Sequence, residues 1–491
     1  MKVKRILAAL LICALLAAVM LPVGAAESEA ILFCQPDFIR GMDVSSVLSL
    51  ERSGVRFYDT NGREEDLFKI LSDNGVNYIR VRVWNNPYNA DGKGYGGGNN
   101  DVAAAAEIGA RAARYGMKLL VDFHYSDFWA DPQKQKAPKA WENYSLEEKI
   151  TALKAFTRDA LQTIQQAGAA IGMVQIGNET TTGIAGEHDF DAMARLFNAG
   201  SAAVRAFSPD ILVALHFTNP ERAGHVKYLA DSLNRCHVDY DVFATSYYPF
   251  WHGSLDNLTA VLRYVADTYG KYVMVAETSY PYTLADTDGF QNTVNENDNS
   301  TGENLLWDFT PEGQAQEVRA VMSAVNAVGE KGLGVFYWEG AWVSVGDMTG
   351  RGGSDYTAQW LANSQKWESY GSGWASSFSS EYDPDDAGRY YGGSAVDNQT
   401  FFDARGQALP SLRVFTAVTG RRLGDANNDG AVTIDDATQV QKIIAELVSA
   451  DALDNRASDV NGDGRVTIDD VTVLQQYLAD YPLPYPVNQP L

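Results

Sequence analysis

The sequence is poor in cysteine, histidine and basic residues. Its 491 residues include 3 cysteines and 6 histidines, and 39 lysines and arginines stand against 63 aspartates and glutamates. So few cysteines cannot build a disulfide framework, although Cys34 and Cys236 could pair in an oxidising compartment. The formal net charge of -24 argues against nucleic acid or an anionic membrane surface as a partner.

Long apolar runs are confined to the first 26 residues. Basic residues precede an apolar stretch from Ile6 to Leu21, and small residues follow at 24–26. This pattern is typical of a secretory signal peptide, and an uncleaved anchor is less favoured because the run is short for a membrane span. We therefore expect residues 1–26 to be a signal peptide, and the mature protein to be secreted and extracellular.

Two glycine motifs of nucleotide-binding proteins are also missing. The Gly-rich segment at 91–100 lacks the Gly-Lys-Ser/Thr of a phosphate-binding loop, and no Gly-x-Gly-x-x-Gly opens a helix after the first predicted strand. A doubly wound open sheet is the alternative to the barrel fold that is inferred below, and the absence of the second motif argues against it.

The sequence does contain a regular alternation of apolar strands and helical segments. Strands are predicted near Ile39, Ile79, Leu119, Val174, Leu212, Phe243, Val273 and Val335. Helices are predicted at 64–74, 102–115, 146–167, 190–207, 255–269 and 311–328. Such alternation implies parallel strands with crossover helices, and eight units over roughly 390 residues predict a (β/α)8 TIM barrel.

The rest of the chain after the last predicted strand divides into two parts. Residues 360–412 are rich in Trp, Tyr, Ser, Gly and Asp, and we expect them to hold the last crossover and the closing helix of the barrel. The barrel domain is predicted to span residues 36–418. A small α-helical domain is predicted at 424–491.

Two predicted strands end in a glutamate. The run from Val174 to Asn178 leads into Glu179, and the run from Tyr272 to Ala276 leads into Glu277. Barrel enzymes place their chemistry at the C-terminal ends of the strands, so both carboxylates should face the mouth of the barrel. Hydrolysis of a glycosidic bond needs such a pair, and a separation of ~5–5.5 Å gives a retaining mechanism.

The neighbours of the two glutamates suggest their roles. Asn178 could hydrogen-bond a sugar 2-hydroxyl beside Glu179, whereas Tyr247 on the preceding strand could keep Glu277 ionised. We therefore predict Glu179 as the acid/base and Glu277 as the nucleophile. Glu339 also ends a strand, and could be a wall residue of the cleft or an ion-pair partner of an arginine on the second strand.

Polar and aromatic side chains crowd the same strand ends. Sugars stack their C–H faces on aromatic rings and bond polar groups through their hydroxyls, so these residues are candidates for substrate binding. The candidates are Arg80, His124, Trp129, Asn178, His216, Tyr247 and Trp338.

Five segments together resemble glycoside hydrolase family 53. They are residues 40–45 (Arg-Gly-Met-Asp-Val-Ser), 78–84 (Tyr-Ile-Arg-Val-Arg-Val-Trp), 122–132 (Asp-Phe-His-Tyr-Ser-Asp-Phe-Trp-Ala-Asp-Pro), 175–179 (Gln-Ile-Gly-Asn-Glu) and 334–339 (Gly-Val-Phe-Tyr-Trp-Glu). That family comprises endo-β-1,4-galactanases that cut arabinogalactan of the pectin side-chain type. The resemblance implies a clan A (β/α)8 barrel and retaining hydrolysis, with Glu179 as acid/base and Glu277 as nucleophile.

The resemblance also implies a calcium ion in the loop after the seventh strand, where some members of the family hold one. The matching oxygen donors are Asp286, Asp288, Phe290, Asn292, Ser394 and Asp397. The family commonly has a histidine where this chain has Phe290, of which only the backbone carbonyl could bind a cation. An acidic turn without metal is the alternative.

Two acidic segments near the C-terminus repeat at an offset of 34 residues. Oxygen donors at loop positions 1, 3, 5, 9 and 12, a backbone carbonyl at 7 and glycine at 6 indicate a calcium loop. The donors are Asp425, Asn427, Asp429, Ala431, Thr433 and Asp436 in the first loop, and Asp459, Asn461, Asp463, Arg465, Thr467 and Asp470 in the second. Helices are predicted after the loops, at 437–448 and 471–478.

This pair of half EF-hands resembles a type I dockerin, the module that attaches an enzyme to a cohesin of a scaffold protein. Dockerins use loop positions 10 and 11 to choose their partner. These positions hold Ile434 and Asp435 in the first loop and Ile468 and Asp469 in the second. Their near identity suggests two alternative docking faces.

The sequence therefore predicts a secreted endo-β-1,4-galactanase acting on (arabino)galactan, associated with a scaffold or cell-surface complex. Calcium is the expected cofactor, with two ions in the dockerin and one in the barrel loop. A different clan A endo-glycanase, such as a mannanase or xylanase, is the alternative within the same class. A carbohydrate-binding scaffold subunit without catalysis is the alternative outside it.

Overall fold

The computed structural model describes residues 31–34, 37–295, 305–416, 418–420, 422–427, 432–447 and 455–488. The predicted signal peptide lies outside the described residues. Among those described, every helix is too short or too polar to cross a membrane. Cys236 carries a free thiol, 3.3 Å from an Asp191 carboxylate oxygen, and the Cys34 side chain lies outside what the structure describes.

A closed barrel of eight parallel strands is the main feature of the structure. A short strand, β1 (Ile31–Cys34), precedes it. The barrel strands are β2 (Ile39–Asp43), β3 (Tyr78–Val83), β4 (Lys118–Phe123), β5 (Ile171–Ile176), β6 (Leu212–Phe217), β7 (Val242–Ser246), β8 (Tyr272–Thr278) and β9 (Gly332–Tyr337). Each pairs with its neighbours in the sequence, and β2 pairs with β9 to close the ring. The TIM-barrel prediction is confirmed, and the open-sheet alternative is wrong.

Helices surround the barrel and connect its strands. They are α1 (Val47–Arg52), α2 (Leu67–Asp73), α3 (Val102–Arg114), α4 (Leu146–Gln166), α5 (Phe190–Phe207), α6 (His225–Arg235), α7 (Leu255–Tyr269), α8 (Pro311–Asn326) and α9 (Gly353–Tyr370). The region predicted as last crossover and closing helix starts inside α9. At its end, a 3-10 helix at Pro410–Thr416 packs against α8 in place of a closing α-helix.

Local side-chain chemistry explains where several helices begin and end. The Ser145 side chain accepts from the backbone of Glu148 at the start of α4, and the Glu148 carboxylate bonds back to Ser145, so that orphan backbone donors are satisfied. Asp101 caps α3 in the same way through Ala104. Gly270 ends α7 in the left-handed conformation, at φ 66°.

Side chains alternate between the interior of the barrel and the layer between strands and helices. The lower interior is apolar and contains Ile39, Leu120, Met173, Ala214, Met274 and Phe336. Above it lie buried polar side chains, namely Arg80, Arg82, Asp122, Gln175, His216 and Ser246. The interior of the barrel is thus packed with apolar side chains, and a layer of polar side chains covers them at the C-terminal end of the strands.

Two further units complete the structure. Strand β1 pairs in parallel with β10 (Val418–Gly420). The C-terminal unit contains α10 (Ile434–Ile444), α11 (Asn455–Ser458) and α12 (Ile468–Leu478). Helices α10 and α12 pack together through a small apolar core.

The two helices of the C-terminal unit begin three residues earlier than predicted, inside the acidic loops. Thr433 and Thr467 are their N-caps. The carboxylates of Asp436 and Asp470 complete a capping box at each start. Loop positions 10 and 11 therefore lie in the first turn of each helix.

Candidate active site

An open cleft of about 770 Å³ lies at the C-terminal end of the barrel strands. Seven aromatic side chains line it, namely Trp129, Tyr248, Phe250, Trp251, Trp338, Trp342 and Trp374. Both Glu179 and Glu277 also line this cleft. The structure therefore brings the two predicted glutamates into one groove whose aromatic walls suit sugar rings.

Unusual backbone geometry directs both glutamates into the cleft. Gly177 and Glu179 have positive φ values of 85° and 44°, which turn the chain sharply after β5. In β8 the register shifts between Val275 and Thr278, which marks a β-bulge. Strict alternation would put Glu277 on the same side as Val275, in the helix-facing core, so the bulge is what aims this side chain inward.

Glu277 is held by one cation and one hydroxyl. Its Oε1 atom lies 2.8 Å from the Arg80 Nη2 atom, and its Oε2 atom accepts a 2.9 Å hydrogen bond from the Tyr248 hydroxyl. Burial raises the pKa of Glu277 above its ordinary value, and the Arg80 charge and the Tyr248 hydrogen bond oppose part of this rise. Burial and the Glu277 charge raise the pKa of Tyr248 well above its ordinary value, so that its hydroxyl remains a donor.

Glu179 has a different environment. Burial and the neighbouring charge of Glu277 raise the pKa of Glu179 to about 8. No Lys or Arg in the described part of the chain forms an ion pair with it; its Oε1 atom instead lies 2.6 Å from the Ser246 hydroxyl. Glu179 is therefore protonated at neutral pH, and the two glutamates differ in the group that holds them.

Arg80 and Arg82 lie at the centre of a buried ionic network below the cleft. Besides Glu277, the Arg80 guanidinium contacts Asp43 at 3.0 Å and Asp122 at 2.9 Å. Arg82 pairs with Glu339 at 2.5 Å, and Glu339 also accepts from the Ser46 hydroxyl at 2.7 Å. Of the two interpretations of Glu339, the ion-pair partner is confirmed.

Two of the predicted substrate-binding residues lie outside the cleft. Tyr247 packs in the core between strands and helices, and its hydroxyl donates to the Gly253 carbonyl at 2.9 Å. The prediction that Tyr247 contacts Glu277 is wrong, because adjacent side chains at a strand end point to opposite faces and Tyr248 is the one facing inward. His216 is fully buried between Asn178 Oδ1, at 3.0 Å, and the Ser246 hydroxyl, at 2.9 Å.

The contacts of His216 indicate what it does instead of binding substrate. Burial lowers the pKa of His216 well below its ordinary value, so the ring is neutral. It supports the Ser246 hydroxyl that contacts Glu179, and its Nδ1 atom lies 3.4 Å from the Glu179 backbone nitrogen. We therefore assign His216 to the layer that positions Glu179.

The remaining substrate candidates line the cleft, and their roles in binding stay predictions. They are Arg80, His124, Trp129, Asn178 and Trp338. The Asn178 amide accepts from Arg80 at 2.8 Å and donates to the Ala130 carbonyl at 2.8 Å. The His124 ring lies 3.1 Å from Asp122 and accepts from Trp84 at 3.0 Å. The sequence analysis did not predict that Ser246 and Tyr248 contact the two glutamates. Alternate residues along β7 face the interior of the barrel, and this alternation places both side chains there.

The acidic loop after β8 forms a compact oxygen cluster. Carboxylate oxygens of Asp286, Asp288 and Asp397 lie within 4.8 Å of one another. Burial raises the pKa of Asp397 to about 7 and that of Asp288 well above its usual range. Asn292 donates from its amide nitrogen to Asp397 at 2.7 Å, while its Oδ1 atom is buried without a hydrogen-bond partner.

The other two predicted donors of this loop lie beside the cluster. The Ser394 backbone nitrogen donates to Asp288 Oδ2 at 2.7 Å, and the Phe290 backbone nitrogen donates to Asp288 Oδ1 at 2.8 Å. Three converging carboxylates and an unpartnered amide oxygen are the donor set of a hard cation such as Ca²⁺.

The two C-terminal loops share one closing arrangement. In the second loop, Asp470 accepts from the Val460 and Thr467 backbone nitrogens, both at 2.8 Å. In the first loop, Asp436 accepts from the Asn427 and Thr433 backbone nitrogens at 3.1 and 2.7 Å. The predicted donors Asp429 and Ala431 lie outside the described residues.

A TIM barrel with two glutamates in one aromatic cleft at the ends of its strands is the architecture of a barrel glycoside hydrolase. The profile of "Glycosyl hydrolase family 53" matches residues 39–415, and that of "Dockerin type I domain" matches residues 423–479. The chain belongs to glycosyl hydrolase family 53, and it carries a type I dockerin, a kind of domain that binds calcium.

Several known proteins are similar to this chain. An endo-beta-1,4-galactanase of Bacillus subtilis is 59% identical over 379 residues, which cover 77% of this chain and 85% of that protein. An arabinogalactan endo-beta-1,4-galactanase of Cellvibrio japonicus is 35% identical over 358 residues, covering 70% and 88% of the two chains. The solved structure of the Ignisphaera aggregans GH53 catalytic domain is 36% identical with a TM-score of 0.67, and the match covers 79% of this chain and 99% of that one.

The pair Tyr247 and Tyr248 allows a matched test of this site. In Tyr248→Phe the pKa of Glu277 should rise, because a hydrogen bond to its carboxylate is lost. In Tyr247→Phe it should stay unchanged, since that hydroxyl bonds the Gly253 carbonyl. Titration of side-chain-labelled glutamate by ¹³C NMR measures both, and an equal shift in the two variants would refute the assignment of Tyr248.

Proposed function

We propose that the chain is a secreted, retaining endo-β-1,4-galactanase that cuts internal bonds in the (arabino)galactan side chains of pectin. Its dockerin attaches it to a scaffold outside the cell. The observation that carries the catalytic part is the difference between the two glutamates. Glu277 is paired with Arg80, whereas burial and the Glu277 charge keep Glu179 protonated.

In the first step, Glu277 attacks the anomeric carbon of the sugar on the non-reducing side of the cut. The bond from that carbon to the glycosidic oxygen breaks as Glu179 gives its proton to the departing oxygen. The products of this step are a glycosyl ester on Glu277, an ionised Glu179 and a free galactan fragment. Arg80 and Tyr248 orient the nucleophile for this attack.

The second step uses the coupling between the two carboxyl groups. Once Glu277 is esterified, the negative charge that raised the pKa of Glu179 is absent. Glu179 can then remain ionised, take a proton from water and direct the hydroxide to the anomeric carbon. The ester bond breaks, Glu277 leaves as a carboxylate, and the configuration of the sugar is retained.

The substrate assignment is supported by the cleft and by the relatives. The groove is open and lined by aromatic side chains, which suits an internal stretch of a long polysaccharide. Relatives named endo-beta-1,4-galactanase and arabinogalactan endo-beta-1,4-galactanase match at 59% and 35% identity over most of their length. These names favour β-1,4-galactan over the mannan and xylan alternatives.

Product analysis tests this proposal. Linear β-1,4-galactan should yield oligogalactosides whose first-formed anomer, followed by ¹H NMR, is β, and mannan and xylan should stay intact. Activity should fall as the pH rises through about 8, where Glu179 loses its proton. Glu277→Gln should still bind galactan while its turnover drops on the order of 10⁴-fold. An α-anomer formed first would rule out retention, and equal hydrolysis of mannan would rule out the substrate.

We also propose a calcium ion at the oxygen cluster after β8. The donor set fits, because Asp286, Asp288 and Asp397 converge and Asn292 keeps a buried amide oxygen without a partner. Ca²⁺ bound there would offset the repulsion among the carboxylates and tie the loop after β8 to the segment around Asp397.

Calcium binding should therefore stabilise the barrel independently of the dockerin. At a free calcium concentration 100 times the dissociation constant, the stabilisation is about 2.7 kcal/mol. In Asp397→Asn the unfolding temperature of the barrel should no longer respond to calcium, and the ion count by metal analysis should fall by one. Asp463→Asn, in the dockerin, serves as the control that lowers the count without changing the barrel transition. A barrel transition in the unsubstituted chain that ignores calcium would contradict this site.

The dockerin is proposed to bind a cohesin through either of two equivalent faces. Ile434 and Ile468, at loop position 10, are 57% and 54% exposed at the start of α10 and α12. Large apolar side chains this exposed, at matching positions of two similar loops, are typical of a binding surface. In both loops the aspartate at position 12 accepts a hydrogen bond from the backbone nitrogen at position 9, so the two loops could offer equivalent binding surfaces to a cohesin.

Altering one face and then both distinguishes these modes. Ile434→Ala with Asp435→Ala should leave cohesin binding nearly intact, and adding Ile468→Ala with Asp469→Ala should remove it, as measured by calorimetry. Leu361→Ala, an exposed apolar residue on α9, is the control. If the change at one face already abolishes binding, the dual mode is wrong.

A further inference from the structure

The wall of the cleft beside Glu179 contains an exposed arginine. This wall is the loop after β6, where Thr218, Asn219 and Arg222 line the cleft. The Thr218 backbone nitrogen donates to the Thr181 hydroxyl at 2.9 Å, which ties this loop to the segment after Glu179. The Arg222 side chain is 64% exposed.

Arg222 differs from the other cations that line the cleft. Arg80 and Arg82 are buried and each is paired with carboxylates, and Lys134 pairs with Asp383 at 3.0 Å and with Asp386. The one ion pair of Arg222 within the described residues joins its Nε atom to the adjacent Glu221 at 3.6 Å. The two terminal nitrogens of its guanidinium are left for a ligand.

A smaller pocket of about 190 Å³ adjoins the cleft and shares Arg222 as a lining residue. It is also lined by His225 and Lys227, at the start of α6. The His225 Nε2 atom is buried without a hydrogen-bond partner, and Gly224 provides no side-chain cap for α6. Burial lowers the pKa of His225, and Lys227 pairs with Asp231 at 3.1 Å, so of these three basic side chains Arg222 is the cation left for an anionic ligand.

The chemistry of the cut determines which part of the substrate meets this region. Glu179 is placed to protonate the oxygen of the departing fragment, so that fragment should lie along the wall that holds Glu179. The departing fragment is the reducing-end part of the polysaccharide. A cation on this wall would therefore meet groups on the reducing-end side of the bond that breaks.

We infer that Arg222 and the adjoining pocket bind the carboxylate of a uronic acid attached on the reducing-end side of the galactan. This inference depends on the proposed galactanase activity. A guanidinium pairs with a carboxylate through two parallel hydrogen bonds, and the free His225 nitrogen offers a further polar contact. Neutral galactose units carry no carboxylate that could form such a pair. The enzyme would thus prefer galactan that is still joined to an acidic polysaccharide.

The test compares substrates that differ only in charge. The full chain is assayed on galactan attached to a uronate-containing backbone, on the same material with its carboxyl groups reduced to alcohols, and on neutral linear galactan. The variants are Arg222→Ala and, as a matched control, Arg158→Ala, whose side chain on α4 is 60% exposed and lies away from the cleft. Calorimetry with Glu277→Gln gives the same comparison for binding without turnover.

The unsubstituted enzyme should have a kcat/KM two- to about fivefold higher on the acidic than on the reduced substrate, as one exposed ion pair allows. Arg222→Ala should lose this preference, so that its rates on the acidic and the reduced substrates become equal, while Arg158→Ala should retain it. Salt near 0.5 M should weaken the preference because it screens exposed charges. Equal rates of the unsubstituted enzyme on the acidic and reduced substrates would overturn the inference, and so would an equal loss on all three substrates in Arg222→Ala. Failure to cut neutral galactan at all would instead refute the proposed function.

Discussion

The buried guanidinium of Arg80 is the interaction on which the active site depends. It lies inside the barrel, 1% exposed, and contacts Asp43, Asp122 and Glu277 from three other strands. Separating such charges from water is unfavourable unless each is paired, and breaking one buried pair destabilises a protein by about 3–5 kcal/mol. The network therefore fixes the relative positions of β2, β3, β4 and β8. The same guanidinium opposes the rise in the pKa of Glu277 that burial causes.

The difference between the two glutamates follows from this asymmetry. Glu277 is buried and Glu179 is partly buried, and burial alone would raise both pKa values. Arg80 opposes that effect at Glu277, whereas Glu179 accepts a hydrogen bond from the Ser246 hydroxyl and is close to the negative charges of Glu277 and Asp131. One cation thus gives two chemically identical side chains different environments. The polar side chains that face the interior of the barrel, among them Arg80 and Ser246, produce this difference between the two glutamates.

Much of the fold could be predicted because the signals are local. Apolar strands alternating with helices indicate a barrel, and both glutamates follow directly from the strand ends. The inward direction of Glu277 could not be derived from alternation, because it requires the irregular pairing of β8 with β9. At the end of β7, by contrast, alternation does place Tyr248 rather than Tyr247 in the cleft. The prediction chose Tyr247 because it considered only that β7 precedes the strand of Glu277. Helices α10 and α12 begin early because Thr433 and Thr467, at position 9 of the two acidic loops, are also the N-cap residues of the helices.

Strand β10 has a consequence for how the enzyme reaches its polymer. It is paired with β1, it ends at Gly420, and the match to the dockerin profile begins at residue 423. Two residues between them span at most about 7 Å when extended. Flexible tethers let a catalytic unit sample a large volume around its anchor, and this connection is too short for that. Once attached to a scaffold, the barrel would move with it, and access to new chain segments would come from motion of the scaffold or of the polysaccharide itself.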